Sequence, residues 1–91
     1  MQVQVLFFAN FREIFQAKEK IIQLKEGATI GDLLELICDS KEKRDALFKN
    51  GSIKPFVAVL INGKHIQYLN GLSSKLFDSD KISLFPPVGG G

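Results

Sequence analysis

A single cysteine, Cys38, leaves this 91-residue chain no internal disulfide. No secretory hydrophobic segment opens the chain either, and that pairing points to a reducing, cytoplasmic setting. The longest apolar run, residues 56–61, falls far short of the ~20 residues that cross a bilayer, so no membrane role is expected. Charge of one sign is scarce: the formal net charge is only +2, and no tract of like charge occurs. The one short basic run, Lys41 to Arg44, is interrupted by Glu42 and reads as a solvated helix face rather than a nucleic-acid site. His65 is the sole histidine and has no second His, Cys or clustered carboxylate nearby in sequence. It reads as a surface histidine, and no metal site is supported. Cys38 flanks an apolar helix face and reads as a small buried hydrophobe rather than a nucleophile. No phosphate-binding loop is present, so nothing in the chain itself is suited to bind ATP.

What remains fits one domain, and a domain of this length buries only roughly 60–65% of the surface of its unfolded chain. That supports one core but no deep private active site, which directs attention to a surface or a chain end. Residues 2–8 alternate, with Val3, Val5 and Phe7 on one face and Gln2, Gln4, Leu6 and Phe8 on the other, as in a strand. Residues 10–16 suit a short helical turn, and residues 19–24 a second strand in which Ile22 and Leu24 share a face. Glu26-Gly27 ends that hairpin. Thr29 is placed as an N-cap, with Asp32 three residues on, before the helical stripe Ile30, Leu33, Leu34 and Ile37. A second, shorter helix is expected over residues 41–49, closed by Asn50-Gly51. Residues 56–61 read as a strand, Asn62-Gly63 as a hairpin turn, residues 64–67 as its return, and Asn70-Gly71 as another turn. Asp78 and Asp80 read as turn formers before a last strand at residues 82–85, which Pro86-Pro87 ends. The order suggests an α+β fold of the β-grasp, ubiquitin-like kind. It would have a mixed sheet of about five strands, the first and last parallel neighbours, with one main helix on one face and a short second helix. Residues 1–85 would form the domain and residues 86–91 a flexible tail.

The tail Phe85-Pro86-Pro87-Val88-Gly89-Gly90-Gly91 follows directly on a strand, with no charged or Ser-rich spacer. Proline holds the departing chain extended, and six extended residues reach roughly 15–20 Å. Glycine lacks a Cβ, so such a tip can enter a channel too narrow for other residues. Its α-carboxylate, ionised near neutral pH, is a poor electrophile. To accept sulfur or an amine it must first become a mixed anhydride, which requires ATP and a separate enzyme.

Two stretches resemble the small subunit of molybdopterin synthase, the MoaD-type members of the ubiquitin-like ThiS/MoaD sulfur carriers. They are Val5-Leu6-Phe7-Phe8-Ala9-Asn10-Phe11-Arg12-Glu13 and the tail, where Gly89 takes the family's variable place between valine and a terminal Gly-Gly. The turn and strand at residues 76–85 also look similar, whereas residues 41–54 carry little signal. The resemblance implies a non-catalytic sulfur-donor subunit for molybdenum-cofactor biosynthesis. A ubiquitin-activator-like (MoeB-type) enzyme would adenylate Gly91 with ATP, and a sulfur donor would convert the adenylate to a thiocarboxylate. The tail would then enter the large (MoaE-type) synthase subunit and deliver sulfur to precursor Z. Pro86, Pro87, Val88, Gly89 and Gly90 would carry the reactive end, and no cofactor would be bound by the chain itself. A ubiquitin-like modifier, joined through Gly91 to lysines, shares this chemistry up to the adenylate. A thiamine-pathway carrier is the further alternative, although such carriers are typically shorter and lack the Phe-Pro-Pro step. A plain interaction domain with an inert tail is the last.

The tail also needs a docking face. If Val3, Val5, Phe7, Val57, Val59, Ile61, Ile82 and Leu84 face the helix, the pleat turns Leu6, Phe8, Ala58, Leu60 and Phe85 to the other side, where a wet sheet should be polar. These five residues form the expected partner-binding patch. Arg12 and Glu13 would either brace the turn after the first strand or touch a partner.

Overall fold

The alternating segment at the start of the chain forms β1 (Gln2–Phe7), in which Val3, Val5 and Phe7 are buried while Gln4 and Leu6 are half-buried. The computed structural model describes residues 1–87. A short helix, α1 (Phe11–Ile14), turns the chain into β2 (Glu19–Gln23), which runs antiparallel to β1 with Gln2 opposite Gln23 and Leu6 opposite Glu19. The main helix, α2 (Ile30–Ile37), starts at a reciprocal capping box. Asp32 N–H donates to Thr29 Oγ1 at 3.2 Å, and Thr29 N–H donates to Asp32 Oδ2 at 2.9 Å. Its stripe Ile30, Leu33, Leu34 and Ile37 is buried, and Cys38 caps its end inside the same core.

After Ser40 caps α3 (Lys41–Leu47), the chain differs from the sequence expectation. The helix stops at Leu47 because Phe48 is extended (φ −117°, ψ 149°), and β3 (Phe48–Lys49) pairs with β4 (Ser52–Ile53). Asn50 and Gly51, at φ +53° and +80°, therefore close a hairpin rather than a helix. The next strand, β5 (Ala58–Ile61), is shorter than residues 56–61, since residues 54–57 form a turn in which Val57 N–H donates to the Lys54 carbonyl at 3.2 Å. Its return, β6 (Lys64–His65), is also shorter than expected. His65 Nδ1 accepts the Gln67 N–H at 3.1 Å and diverts the chain into a 3-10 turn, Ile66–Tyr68, followed by a second, Gly71–Ser73.

The last strand, β7 (Lys81–Phe85), lies between β1 and β5, parallel to β1 and antiparallel to β5. The main sheet has the order β2-β1-β7-β5-β6. Asp78 and Asp80 set the turn before β7: Gln2 N–H donates to Asp78 Oδ1 and Phe77 N–H to Asp80 Oδ2, each at 2.8 Å. All eight residues assigned to the inner face are buried with α2 in one core, which Phe11, Phe15, Leu47, Ile66 and Leu76 complete. One helix against one face of a mixed sheet with parallel outer segments of the chain at its centre is the β-grasp arrangement.

Candidate functional site

The opposite face of the sheet carries the candidate site. Register places its residues in two rows across β1, β7 and β5. Leu6 lies opposite Ser83, which lies opposite Leu60. Two residues further along β7, Phe85 lies opposite Ala58. On its other side the Phe8 N–H donates to the Leu84 carbonyl at 3.2 Å, which brings the Phe8 ring onto that of Phe85. The two rings stack with centroids 4.3 Å apart and planes at 12°. Leu6, Phe8, Ala58, Leu60 and Phe85 are each half-buried, so all five expected patch residues come together on one open surface. Ser83, at the centre of the first row, is their polar neighbour.

Arg12 frames this surface. Its Nε donates to the Phe7 carbonyl at 2.9 Å, and its guanidinium carbon lies 5.7 Å from the centroid of the Phe8 ring. It therefore braces the end of β1 and sits at the rim of the patch, while Glu13 lies exposed in α1. Elsewhere on the rim, the Gln4 amide donates to Glu19, which faces Leu6 across the strands, and His65 faces Leu60. His65 is half-buried with one ring nitrogen engaged. Among the described residues, no group of three or more His, Cys, Asp or Glu is placed to hold a metal ion. No helix among them is long and apolar enough to cross a membrane.

Cys38 lies away from this face. It is buried, its thiol donates to the Lys43 carbonyl at 3.6 Å, and burial pushes its pKa up from 9.0 to about 11. A thiol held protonated in this way is a core residue.

The chain leaves β7 at the end of the sheet where Phe8, Phe85 and Ala58 meet. Pro86 and Pro87 follow without regular structure and are half-buried. Val88, Gly89, Gly90 and Gly91, and with them the carboxylate on which the expected chemistry depends, lie outside the described residues. One residue at this end was missed by sequence reasoning. Phe56, expected to begin a strand, stands in the turn before β5 with φ +68° and 86% of its surface exposed. The Pro55-Phe56 step ahead of an apolar strand gave no cue, because a type II turn ordinarily has glycine in that place.

A mixed sheet that buries one helix, together with an apolar outer face beside the departing last strand, defines a ubiquitin-like β-grasp protein. Residues 5–91 match the ThiS family, and the chain belongs to it. This is a family of ubiquitin-like sulfur carriers. The chain is 38% identical over 92 residues, covering all of both chains, to small archaeal modifier protein 3 of Haloferax volcanii. It is 29% identical over 91 residues, again covering all of both, to the molybdopterin synthase sulfur carrier subunit of Chlamydomonas reinhardtii. Among solved structures, the solution structure of the Haloferax volcanii HVO 2177 protein, 38% identical, matches with a TM-score of 0.84 over 100% of this chain and 87% of that one.

Proposed function

We propose that the chain carries sulfur on the carboxylate of Gly91 and serves as the small subunit of a molybdopterin synthase. In the first step a carboxylate oxygen attacks the α-phosphorus of ATP on a separate adenylating enzyme, and pyrophosphate leaves. The product is an acyl adenylate, a competent electrophile where the free carboxylate is not. A sulfur nucleophile at the oxidation level of hydrosulfide then adds to the carbonyl carbon and displaces AMP, leaving a thiocarboxylate. Its sulfur stays covalently held and cannot diffuse away as sulfide, and as a soft nucleophile it can attack a pterin precursor inside the large subunit. The chain contributes no acid, base or metal to these steps; it delivers and positions its tip.

The observation that carries this reading is the place where β7 ends. The strand runs through the middle of the sheet and releases the chain through Pro86-Pro87 beside the stacked Phe8 and Phe85. A partner that docks on the apolar face therefore receives the tail at its edge. Family membership and the whole-length similarity to the Chlamydomonas reinhardtii sulfur carrier subunit support sulfur as the cargo. The similarity to small archaeal modifier protein 3 favours a second reading, in which a lysine amine on another protein displaces AMP and an isopeptide bond results. Mass spectrometry of the protein from its native cell separates the two. One terminal oxygen replaced by sulfur is the expected result for a carrier, and branched Gly-Gly peptides on other proteins' lysines are the mark of a modifier. Deletion of Gly91 is expected to abolish either activity and leave the unfolding midpoint unchanged; a fully active truncated chain would refute both readings.

A further inference from the structure

We infer that Phe56 is a contact residue for the adenylating enzyme, an aromatic side chain held out at the root of the tail. The inference rests on the reading of the tail given above. Lys54 to Val57 form a four-residue turn closed by the Val57 N–H to Lys54 carbonyl bond, with Pro55 in the second position and Phe56, at φ +68°, in the third. This is the type II pattern, whose third position favours glycine because a Cβ is crowded when φ is positive. A bulky residue there is strained, and such strain persists only where the surroundings fix it. Phe56 gains little from its own fold in return, since it is 86% exposed. Strain and solvent exposure together mark a side chain whose contacts are made outside the chain.

Register gives the location. Ala58 pairs with Phe85 in an antiparallel ladder, so the residues just before Ala58 lie at the same end as those just after Phe85. Phe56 therefore lies at the end of the sheet from which Pro86 and Pro87 depart, the end that carries Phe8, Phe85 and Ala58. Two other aromatics are exposed to a lesser degree, Phe77 at 65% and Tyr68 at 70%, and neither has positive φ. Phe77 stands before β7, at the opposite end of that strand from the tail.

The occupant is the adenylating enzyme because adenylation precedes both fates of the tail, and an enzyme that grips the tip must cover its root. Charge gives its chemistry. Arg12, beside the Phe8 ring, is an exposed cation at the tail end of the outer face, whereas Lys81 stands at the far end of β7 and the Glu19 carboxylate is engaged by the Gln4 amide. The complementary surface is an apolar pocket for Phe56 beside an acidic rim.

The test is ATP–pyrophosphate exchange catalysed by the adenylating enzyme purified from the same cell, with the full-length chain as substrate. Phe56→Asn keeps a residue that tolerates positive φ and removes the ring. Its KM is expected to rise about tenfold with kcat unchanged, the loss typical of an aromatic anchor at an interface. Phe56→Tyr is expected to keep the wild-type KM, as is Phe77→Asn at the far end of β7. The Tm of Phe56→Asn should be no lower than wild type. An unchanged KM for Phe56→Asn overturns this inference alone, and so does a KM change accompanied by a Tm several degrees lower. Absence of exchange with the wild-type chain overturns the reading of the tail, and this inference with it.

Discussion

Cys38 joins local structure to a pH dependence. It sits at the C-cap of α2, packed in the core, and burial raises its thiol pKa from 9.0 to about 11. In the unfolded chain the thiol ionises at its ordinary value. Between about pH 9 and 11 the folded state therefore holds a proton that the unfolded state has released. Stability falls with pH wherever the folded state binds more protons. The contribution is thus complete below pH 9 and lost as the pH passes through 11. Urea midpoints measured across this window should fall more steeply for the wild type than for Cys38→Ala. The variant starts lower, because it leaves a small cavity, but lacks this titration. Parallel slopes would show that the thiol is not what couples the core to pH. The same burial predicts slow reaction of Cys38 with thiol reagents at pH 8, when thiolate is scarce.

At the scale of elements, the start of α2 carries a measurable share of stability. The capping box fixes where the helix begins, and that in turn sets which residues of its stripe meet the sheet. Thr29→Ala removes the side-chain acceptor for the Asp32 N–H and is expected to cost about 1 kcal/mol, or roughly 4–8 °C in Tm for a domain of this size. Thr29→Ser should restore most of it; an unchanged Tm for the alanine variant would show that tertiary packing alone sets the start of α2. This box was legible in the sequence because its signal is local: a capping residue, a carboxylate three positions on, and a helical stripe. The inner faces of β1, β5 and β7 were legible for a similar reason, since period-two alternation is imposed by one buried side. The β3–β4 hairpin was not. Asn50-Gly51 serves equally to end a helix or to turn a hairpin, and two-residue strands such as Phe48–Lys49 have no periodicity to read. The length of β5 failed through the opposite fault. The apolar run at residues 56–61 promised a strand throughout, but Val57 is buried without joining the ladder and Phe56 is not buried at all.

For the whole molecule, the division of labour lies between the two faces of one sheet. The inner face is fully buried with α2, so it supplies the stability; the outer face repeats the apolar pattern with no covering element among the described residues. Sequence revealed this face because alternation breaks there: Leu6, Phe8, Leu60 and Phe85 stand where a wet side calls for polar groups. Their half-burial limits what they add to the fold and leaves apolar area for a partner, which separates the two effects experimentally. Leu60 is the sharpest probe, because its neighbours across the strands are Ser83 and His65 rather than core residues. Leu60→Glu can send its carboxylate into water, so Tm should shift by only a few degrees. Docking would instead force that carboxylate into an apolar contact, and an uncompensated buried charge is costly. Binding to the two proposed partners, the adenylating enzyme and the large synthase subunit, should weaken by about tenfold or more in titration calorimetry. Wild-type affinity for both, from a folded variant, would mean that the tail alone is recognised and that the apolar face serves some other purpose.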